Sequence, residues 1–425
     1  MLRFAPSPTG LLHMGNIRVA LLNYLFAKKN DIGFFLRIDD TDEERSKEEF
    51  IEYIVEDLKW LGIDYQKIIK QSDRRSKYKD VFNFLKSNGY IYPCFESANE
   101  LSLKRKILLK QGKPPIYDRS SLKLKKSEIK ALIKSGINPH WRMKLDDKSI
   151  EWSDMIHGEI SFANLSVSDP VVFRSDEMPL FTVTSVVDDA DMNVSHVFRG
   201  DDHITNTAAQ IKLFKLLGSK IPNFGHFPLI KSKSGQGLSK RSNDFSVREF
   251  RKKKILKVVI LNYLRKLGTS QSIEDIESLQ TLCKKFDLKQ FSKNSVFFDP
   301  KDIERLNAKH LKNMDVDDIK QIFKLDFESD FWMIIRSNID SINEAQEWYD
   351  LIKKKFIIKD KVILKKSLKD LIIKNIPNKI NKESWTEWTS KILNNYEIKP
   401  KVLYITIREI LTGKKFGPSM NDLLT

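Results

Sequence analysis

Four short clusters of polar residues in the first 246 positions contain side chains suited to binding a charged ligand. In the first cluster, Arg3 precedes a turn rich in proline and glycine, and His13-Met14-Gly15-Asn16 opens a predicted helix. The start of a helix presents unpaired N–H groups and the positive end of the helix dipole, which together favour phosphate. His13 adds a donor, and Gly15 permits close approach of the backbone. The cluster predicts a phosphate site, although a lone histidine at a helix start is more often structural.

The second cluster, Arg37-Ile38-Asp39-Asp40-Thr41-Asp42, follows a predicted strand. Ligands of open α/β sheets bind at the carboxyl ends of the strands, so this position favours a binding role. A calcium loop of the EF-hand type is a poor alternative because, counted from Asp40, the sixth residue is Arg45 and the twelfth is Ile51. The alternative is a solvated acidic turn before the next helix.

The third cluster combines Val186-Val187-Asp188-Asp189 with Phe198–His203, in which Arg199 is predicted to lie just past the end of a strand. A guanidinium there could bind a carboxylate or a phosphate through two parallel hydrogen bonds. An ion pair with its acidic neighbours is the alternative.

The fourth cluster, Gly235-Gln236-Gly237-Leu238-Ser239-Lys240-Arg241, places two cations on a glycine-flanked loop. Such a loop could close over a triphosphate and stabilise the departing pyrophosphate. The usual phosphate loop is excluded because no Gly-Lys-Ser or Gly-Lys-Thr occurs, and no Gly-x-Gly-x-x-Gly opens the first helix.

The elements that must position these clusters follow an α/β order over the first sixty residues. Hydrophobic spacing predicts a strand at Leu2–Ala5, a helix at Met14–Lys29 and a buried strand at Phe34–Ile38. Ser46-Lys47-Glu48-Glu49 has the pattern of a capping box, and the helix it begins is predicted to end at Gly62. This order indicates a parallel sheet.

The rest of the chain has two different patterns. Residues 72–179 are irregular, with two strand-like runs at Trp141–Leu145 and Glu159–Phe162, and they have the appearance of an insertion. The sheet then resumes with predicted strands at Leu180–Val187 and Val194–Arg199 and a helix at Thr205–Leu217. From Val247 onward the pattern is almost wholly helical.

Composition limits the class of protein. A chain of 425 residues is expected to form two to four domains. The net charge is +17, and residues 247–425 contribute +11 of it, with 36 Lys and Arg against 25 Asp and Glu. This excess favours a polyanionic partner, although a lysine-rich solvated surface is the alternative. Two cysteines cannot form a disulfide framework, and no signal peptide or membrane span is evident, so we expect a reduced, cytoplasmic, soluble protein without a membrane partner.

In this order, the four clusters resemble the glutamyl-tRNA synthetase family of class I aminoacyl-tRNA synthetases. Arg3–Gly10 followed by His13–Asn16 resembles that family's form of the HIGH signature, and Arg37–Asp42 is similar to its Arg-Ile-Glu-Asp-Thr-Asp. Phe198–His203 is similar to its Arg-Gly-Glu-Asp-His stretch, and Gly237–Arg241 stands where the KMSKS motif is expected. Leu411-Thr412-Gly413 is similar to a C-terminal family motif, so the resemblance covers the whole chain.

The resemblance implies an activity and a set of roles. Glutamate would be activated by ATP with Mg²⁺ to glutamyl-adenylate and passed to tRNA for Glu, or for Gln as well, by a monomeric ligase. His13 and Lys240 match the catalytic positions. The implied ATP-binding residues are His13, Gly15, Asn16, Gly200, Ile230, Leu238 and Lys240. The implied glutamate-binding residues are Arg3, Ser7, Asp39, Phe181, Ser185 and Arg199.

Three positions depart from the family pattern: Asn16 replaces the final His of HIGH, Gly237 replaces the first Lys of KMSKS, and Asp39 replaces Glu. Relatives that carry zinc use a Cys-x-Cys pair and a later Cys in the insertion. Here Cys94 is followed by Phe95 and Glu96, and one cysteine cannot hold zinc. The insertion is therefore predicted to contain no metal.

The resemblance also implies an architecture. The fold class is an α/β Rossmann-type catalytic domain with an α+β insertion, followed by an all-α anticodon-binding part. The expected divisions are a catalytic domain at 1–73 and 187–228, an insertion for the tRNA acceptor end at 74–186, a stem-contact region at 229–302 and the helical part at 303–425.

Other functions are less consistent with the chain. Glutaminyl-tRNA synthetases have a β-barrel C-terminal part, which the helical pattern after Val247 disfavours. Glutamyl-queuosine tRNA synthetases lack the C-terminal part altogether. A non-catalytic tRNA-binding paralogue is the alternative from another class, and the presence of His13 and Lys240 argues against it.

Overall fold

A computed structural model of the chain describes residues 1–145, 149–162, 168–232, 235, 245–353 and 366–424, without the side chains of 366 and 367. The chain divides into two compact units. The first consists of Met1–Glu249 and Leu261–Asp299, and the second consists of Phe250–Ile260 and Pro300–Thr425. The division into four parts that the resemblance implies remains a prediction.

The strands of the described residues are β1 (Leu2–Phe4), β2 (Phe34–Ile38), β3 (Ile68–Lys70), β4 (Ile91–Cys94), β5 (His140–Met143), β6 (Ile150–Asp154), β7 (Gly158–Phe162), β8 (Val171–Phe173), β9 (His196–Gly200), β10 (Asn223–Phe227), β11 (Ile230–Ser232) and β12 (Val296–Phe298). The helices in the first 285 residues are α1 (Met14–Lys29), α2 (Glu48–Leu61), α3 (Arg75–Ser87), α4 (Ala98–Lys110), α5 (Lys126–Lys134), α6 (Phe181–Asp191), α7 (Ile204–Leu216), α8 (Val247–Lys252), α9 (Lys257–Lys266) and α10 (Leu279–Lys285). Those that follow are α11 (Pro300–Lys312), α12 (Val316–Phe323), α13 (Ser329–Ile335), α14 (Ile342–Lys353), α15 (Lys366–Lys374), α16 (Ser384–Asn395), α17 (Pro400–Thr412) and α18 (Met420–Leu423).

A parallel layer forms the centre of the first unit. Strands β1, β2 and β3 pair in that order, and β9 pairs with β10, all in parallel. The N–H of Ser195, just before β9, donates to the carbonyl of Met1 at 2.9 Å, so β9 begins beside β1. Every residue of β2 is buried, including Arg37, as expected of a central strand in a parallel sheet. The predicted Rossmann-type α/β fold is therefore confirmed.

The segment between β3 and α6 adds an antiparallel part. Strands β4, β5 and β8 form one sheet, and β6 pairs with β7 in a separate hairpin. This segment shares a hydrophobic core with the parallel layer, in which Phe82 packs edge-to-face against Trp141 at 5.3 Å and Phe173 at 4.9 Å between ring centroids. The shared core fixes this segment against the sheet.

Two predictions about segments that form helices are wrong. The predicted capping box at Ser46 does not form: α2 begins after Lys47, without a side-chain cap. The N–H of Ser46 instead donates to the carbonyl of Asp42, and the N–H of Lys47 donates to the carbonyl of Pro8. These two bonds fix the turn before α2, so the helix begins after Lys47 and not after Ser46. The end of α2 is as predicted, because Gly62 adopts the left-handed conformation with φ of 78°.

The second wrong prediction is the strand at Leu180–Val187, which is the first part of helix α6. Residues Val183 to Asp189 are all buried in this helix. A helix that is buried on every side has no polar face, so its β-branched residues produce the same pattern as a buried strand.

In the second unit, the described part of residues 300–424 contains helices and no strand, which differs from the β-barrel of the glutaminyl alternative. One of its cores is formed by Ile372, Trp388, Ile392, Leu403 and Ile407. None of the described helices has the length and apolar composition that crossing a membrane requires.

Candidate active site

A cavity of about 590 Å³ opens at the carboxyl ends of β1, β2, β9 and β10 in the first unit. This is the edge at which parallel α/β sheets bind their ligands. The residues that line it are Arg3, Phe4, Ala5, Pro6, Ser7, His13, Gly15, Asn16, Arg18, Val19, Arg37, Asp39, Phe181, Phe198, Arg199, Gly200, Asp202, His203, Phe227, Pro228, Leu229 and Ile230. The cavity therefore brings three of the four sequence clusters to one site.

The start of α1 forms one wall. Asn16 N–H donates to Nδ1 of His13, and His13 N–H donates to Oδ1 of Asn16, both at 3.3 Å, so the two residues cap the helix reciprocally. This bond explains why asparagine is suited to position 16. A Cβ on Gly15 would lie 2.9 Å from Cε1 of His13. Because the imidazole folds back over the first turn, any larger residue at position 15 would displace it.

A buried charge network forms the floor. Arg3 donates from Nε and Nη2 to the two carboxylate oxygens of Asp189, at 2.9 and 3.1 Å. Arg37 donates to both oxygens of Asp39, at 2.7 and 3.1 Å, and also to Asp189 at 2.8 Å. Burial opposes the charge of Arg37, but the carboxylates of Asp39 and Asp189 outweigh it and raise the pKa of Arg37. These bonds hold Asp189, Arg3 and Asp39 in fixed positions.

Arg199 differs from the other two arginines. It is 7% exposed and lies within β9, so the predicted position just past the end of the strand is wrong, because β9 continues to Gly200. Its described partners are Nε2 of His226 at 3.3 Å, Oγ1 of Thr207 at 2.7 Å and Oε1 of Gln210 at 2.6 Å. Burial, followed by the nearby charge of Arg3, lowers the pKa of Arg199 to about 9. Among the described residues, no carboxylate forms a hydrogen bond with it and its Nη1 has no partner, so the site favours an anionic ligand.

An aromatic pair lies beside this guanidinium. The ring of Phe181, at the start of α6, contacts His203 with 5.3 Å between centroids. Burial, and then the charge of Arg199, lower the pKa of His203 to about 4, so this imidazole is neutral at neutral pH. Gly200 also lines the cavity, and a Cβ there would lie 2.5 Å from Oδ1 of Asp202 and 3.2 Å from Cδ2 of Leu229, so a larger residue would displace these side chains.

Most of the residues expected in the site meet in the cavity. The ones that line it are Arg3, Ser7, His13, Gly15, Asn16, Asp39, Phe181, Arg199, Gly200 and Ile230. Ser185 does not line it: this residue is 1% exposed in α6, and its hydroxyl has no partner among the described residues. Leu238 and Lys240 lie outside the described residues.

The two ends of the segment that carries Lys240 can nevertheless be located. Before it, Ile230 at the start of β11 lines the cavity. After it, Ser246 pairs with His13 in an antiparallel bridge, and Val247 N–H donates to the carbonyl of Leu12 at 3.2 Å. Both ends are thus next to the site.

Sequence reasoning missed several residues that build the site. Arg18 is buried and donates to the carbonyls of Pro228 at 2.9 Å and Leu267 at 3.0 Å, which ties α1 to the cavity rim. His226 lies behind Arg199. In the sequence, each of these residues is marked only by being a polar residue within an otherwise apolar helix face or strand. That pattern does not identify the residue to which it will be hydrogen-bonded.

The predicted absence of zinc concerns the segment around β4. The carboxylate of Glu96 accepts hydrogen bonds from Tyr117 at 2.7 Å, Ser120 at 2.8 Å and Ser121 at 2.8 Å. Cys94 Sγ lies 3.8 Å from the Tyr117 hydroxyl. The described residues contain no group of three or more His, Cys, Asp or Glu placed to hold a metal ion. The absence of zinc stays a prediction.

The chain matches known proteins over nearly its whole length. The family described as tRNA synthetases class I (E and Q), catalytic domain, matches residues 1–305. The chain is 41% identical over 424 residues to glutamate–tRNA ligase 1 of Wolbachia pipientis subsp. Culex pipiens (strain wPip), covering 99% of this chain and 94% of that protein. It is 39% identical over 427 residues to glutamate–tRNA ligase 1 of Rickettsia felis (strain ATCC VR-1525 / URRWXCal2), covering 99% and 95%.

Solved structures agree with these matches. The glutamate tRNA ligase of Elizabethkingia meningosepticum CCUG26117, solved in complex with its amino acid, is similar with a TM-score of 0.78 and 26% identity over 99% of this chain and 95% of that one. The glutamate-tRNA synthetase of Elizabethkingia anophelis gives the same TM-score with 25% identity and the same coverage. With the family match over residues 1–305 and a site built from its sequence clusters, the chain belongs to the class I tRNA synthetases of the E and Q family.

Proposed function

We propose that this chain is a glutamate–tRNA ligase. In the first step the α-carboxylate of glutamate attacks the α-phosphorus of ATP, forming glutamyl-adenylate and releasing pyrophosphate. In the second, a hydroxyl of the terminal adenosine of tRNA attacks the activated carbonyl, and AMP leaves. Neither step needs a covalent bond to the protein, so positioning and charge stabilisation account for catalysis.

The observation that carries the proposal is the environment of Arg199. Its buried guanidinium has no carboxylate partner among the described residues, whereas Arg3 is bound by Asp189. An amino acid with a second carboxylate supplies the anion that this site lacks. We therefore assign Arg199 to a carboxylate of glutamate, with Arg3, Ser7, Asp39 and Phe181 around it, and leave Ser185 as a support in α6.

The nucleotide is assigned to the wall formed by α1. His13, Gly15 and Asn16 lie at the positive end of a helix, which favours the phosphates of ATP with Mg²⁺ as its counterion. Gly200 and Ile230 lie on the same cavity and are assigned to the adenine end with Leu238, while Lys240 is assigned to the departing pyrophosphate. We further propose a cytoplasmic monomer whose second unit binds the anticodon arm of the tRNA.

Replacement of Arg199 by Lys tests the glutamate assignment. An ammonium cannot form the same set of bonds, so the KM for glutamate should rise at least tenfold while tRNA binding is retained. The steady-state aminoacylation rate, measured against glutamate and against ATP separately, gives this result. An unchanged KM for glutamate would contradict the assignment, and equal loss of glutamate and tRNA binding would indicate misfolding.

Whether the tRNA for Gln is also a substrate is a separate question, because the name glutamate–tRNA ligase specifies the amino acid and not which tRNA receives it. Aminoacylation with purified tRNA for Glu and for Gln, at equal concentration, distinguishes a ligase for one from a ligase for both. We expect the tRNA for Glu to be a substrate. Failure with both would favour the non-catalytic alternative.

A further inference from the structure

Three buried side chains form a line behind the cavity: Asp154 at the end of β6, His226 in β10 and Arg199 in β9. Their exposed fractions are 3%, 0% and 7%. Oδ2 of Asp154 lies 2.6 Å from Nδ1 of His226, and Nε2 of His226 lies 3.3 Å from Nε of Arg199. Strands β9 and β10 pair with Arg199 directly opposite His226, so the sheet itself brings these two residues together.

The direction of the hydrogen bonds follows from what each group can do. An ionised carboxylate only accepts, so Nδ1 of His226 must carry the proton that bonds Asp154. Nε2 of the neutral ring then presents a lone pair, which accepts the N–H of Arg199, and Oγ1 of Thr207 lies 2.9 Å from the same nitrogen. The other tautomer would set a lone pair against the carboxylate and an N–H against the N–H of Arg199. Burial lowers the pKa of His226, which keeps the ring neutral.

Asp154 is itself fixed. Its Oδ1 accepts from the backbone N–H groups of Ile156 at 3.0 Å, His157 at 2.9 Å and His226 at 3.3 Å. Nη2 of Arg199, which shares an edge of the guanidinium with Nε, donates to Thr207 at 2.7 Å and to Gln210 at 2.6 Å. The guanidinium is thus held at Nε and Nη2, and Nη1 is the nitrogen left without a partner among the described residues.

We propose that Asp154 and His226 are positioning residues that set the orientation of Arg199 and so determine the affinity for the amino acid. This inference rests on the proposed function, in which Arg199 binds a carboxylate of glutamate. Asp154 determines the tautomer of His226, and His226 in turn fixes Nε of the guanidinium. Nη1 is then the nitrogen that remains available to the substrate. Neither residue touches the substrate.

The test uses two substitutions in the full-length protein that preserve shape. His226→Asn keeps a donor for Asp154 but removes the acceptor for Arg199. Asp154→Asn keeps Oδ1 for the three backbone N–H groups and puts an N–H where Oδ2 accepts, which forces the wrong tautomer on His226. Both variants should raise the KM for glutamate by roughly ten- to a hundredfold, the range for losing a hydrogen bond to a charged group, while the KM for ATP changes less than threefold.

His196→Asn is the matched control. His196 lies in the same strand as Arg199 and opposite Asn223 in β10, with its ring against Phe26 and Phe198. The same substitution there alters packing in the same strand pair without touching the line of three residues. It should lower the unfolding temperature and leave the KM for glutamate unchanged.

A double-mutant cycle separates positioning from general structural support. In an Arg199→Lys background, His226→Asn and Asp154→Asn should add less than threefold to the KM for glutamate, because the group they orient is already gone. Additive effects, or equal increases in the KM for ATP, would overturn the proposal. If Arg199→Lys alone leaves the KM unchanged, the proposed function of Arg199 is wrong. If it raises the KM and the other two variants do not, only the positioning role is wrong.

Discussion

Each arginine around the cavity is defined by its partner, and the partner determines whether the charge is available to a substrate. Arg3 and Arg37 share Asp189, and Arg37 also holds Asp39. Arg199 is held by a neutral imidazole, a hydroxyl and an amide oxygen. The fourth arginine that lines the cavity, Arg18, binds two backbone carbonyls. Among the described residues, Arg199 is the arginine of this cavity that has a nitrogen without a partner at Nη1 and no carboxylate bound to it, which is why we propose it as the anion-binding one.

The first prediction at this scale concerns Gly15. A methyl group there would lie 2.9 Å from Cε1 of His13, so Gly15→Ala should push the imidazole out of its capping position. We expect the aminoacylation rate to fall by about one to two orders of magnitude, less than the roughly two to three orders for losing a donor outright because His13 is displaced and not removed, with little change in the KM for glutamate. Gly218→Ala is the control: with φ of 63° and no atom within 4 Å, it should lower stability without changing the rate. A normal rate for Gly15→Ala would contradict a role for His13 at phosphate.

The second prediction concerns Lys240. Lys240→Ala should lower the aminoacylation rate by roughly two to three orders of magnitude, as expected for one transition-state donor, with modest change in ATP affinity. Measuring the rate and the KM for ATP separates the two effects. Arg241→Ala provides a comparison on the same loop, and an unchanged rate for Lys240→Ala would exclude it as the pyrophosphate donor.

Sequence reasoning identified residues that line the cavity more readily than it identified the residues that hold them in place. Arg3, Asp39 and Arg199 belong to short motifs that can be read locally. The partner of Arg3 is 186 positions away, and His226 is 27 positions from Arg199. No periodicity or composition connects such residues, because the sheet and not the local sequence brings them together.

At the scale of elements, prediction succeeded where periodicity is clear. The helix α1 and the strand β2 have the predicted bounds, and α2 ends at the predicted glycine. Prediction failed at α6 because burial on every side removes the contrast between faces. It failed at Ser46 because a tertiary contact with Pro8 sets the start of α2.

The third prediction concerns the hydrogen-bonded group around Glu96. Burial alone would raise the pKa of Glu96, but the hydrogen bonds from Tyr117, Ser120 and Ser121 outweigh it and lower the pKa from 4.5 to about 2. A lowered folded-state pKa means stabilisation that is present above pH 4.5 and is lost as the pH falls toward 2. Glu96→Gln should therefore lower the free energy of unfolding by on the order of 2 kcal/mol at pH 7.

Denaturant unfolding from pH 7 down to pH 2.5 checks this prediction, since the difference between the wild type and Glu96→Gln should shrink over the acid range. Glu52→Gln, at an exposed position on α2, is the control and should have no such effect. A constant difference at all pH values would show that packing, not charge, is involved.

Elemental analysis of the same protein tests the absence of zinc, and a stoichiometric zinc signal would contradict it.

For the whole molecule, the excess of positive charge after residue 247 is the feature to explain. Lys399 and Lys401, at the start of α17, are exposed and form no ion pair with any described residue. Lys353 is different, because its ammonium binds Glu328 at 2.7 Å. If the excess positive charge binds the phosphates of the RNA backbone, we expect lysines without an ion pair to contribute more to tRNA affinity than Lys353 does.

The fourth prediction follows from this contrast. Replacing Lys399 and Lys401 by Gln should weaken tRNA binding and flatten the dependence of log affinity on log salt by somewhat under one unit for each lysine–phosphate interaction removed. Lys353→Gln should change the slope less. Binding measured over a series of salt concentrations gives both values. Equal and unchanged slopes would mean that the lysines form only a solvated surface.

The ion pair between Arg37 and Asp189 also has a consequence for synthesis of the chain on the ribosome. Arg37 can bind Asp39, two residues later, but its second carboxylate partner, Asp189, is 152 residues later. The guanidinium of Arg3 is also buried, and the carboxylate that binds it is that of the same Asp189, 186 residues later. Until Asp189 has emerged, β1 cannot take its buried place in the layer without leaving the charge of Arg3 without its carboxylate partner. We therefore expect β1 to remain loosely packed in the growing chain until Asp189 has been added. A delay in translation before Asp189 would prolong an aggregation-prone intermediate, whereas a delay after β10 would not.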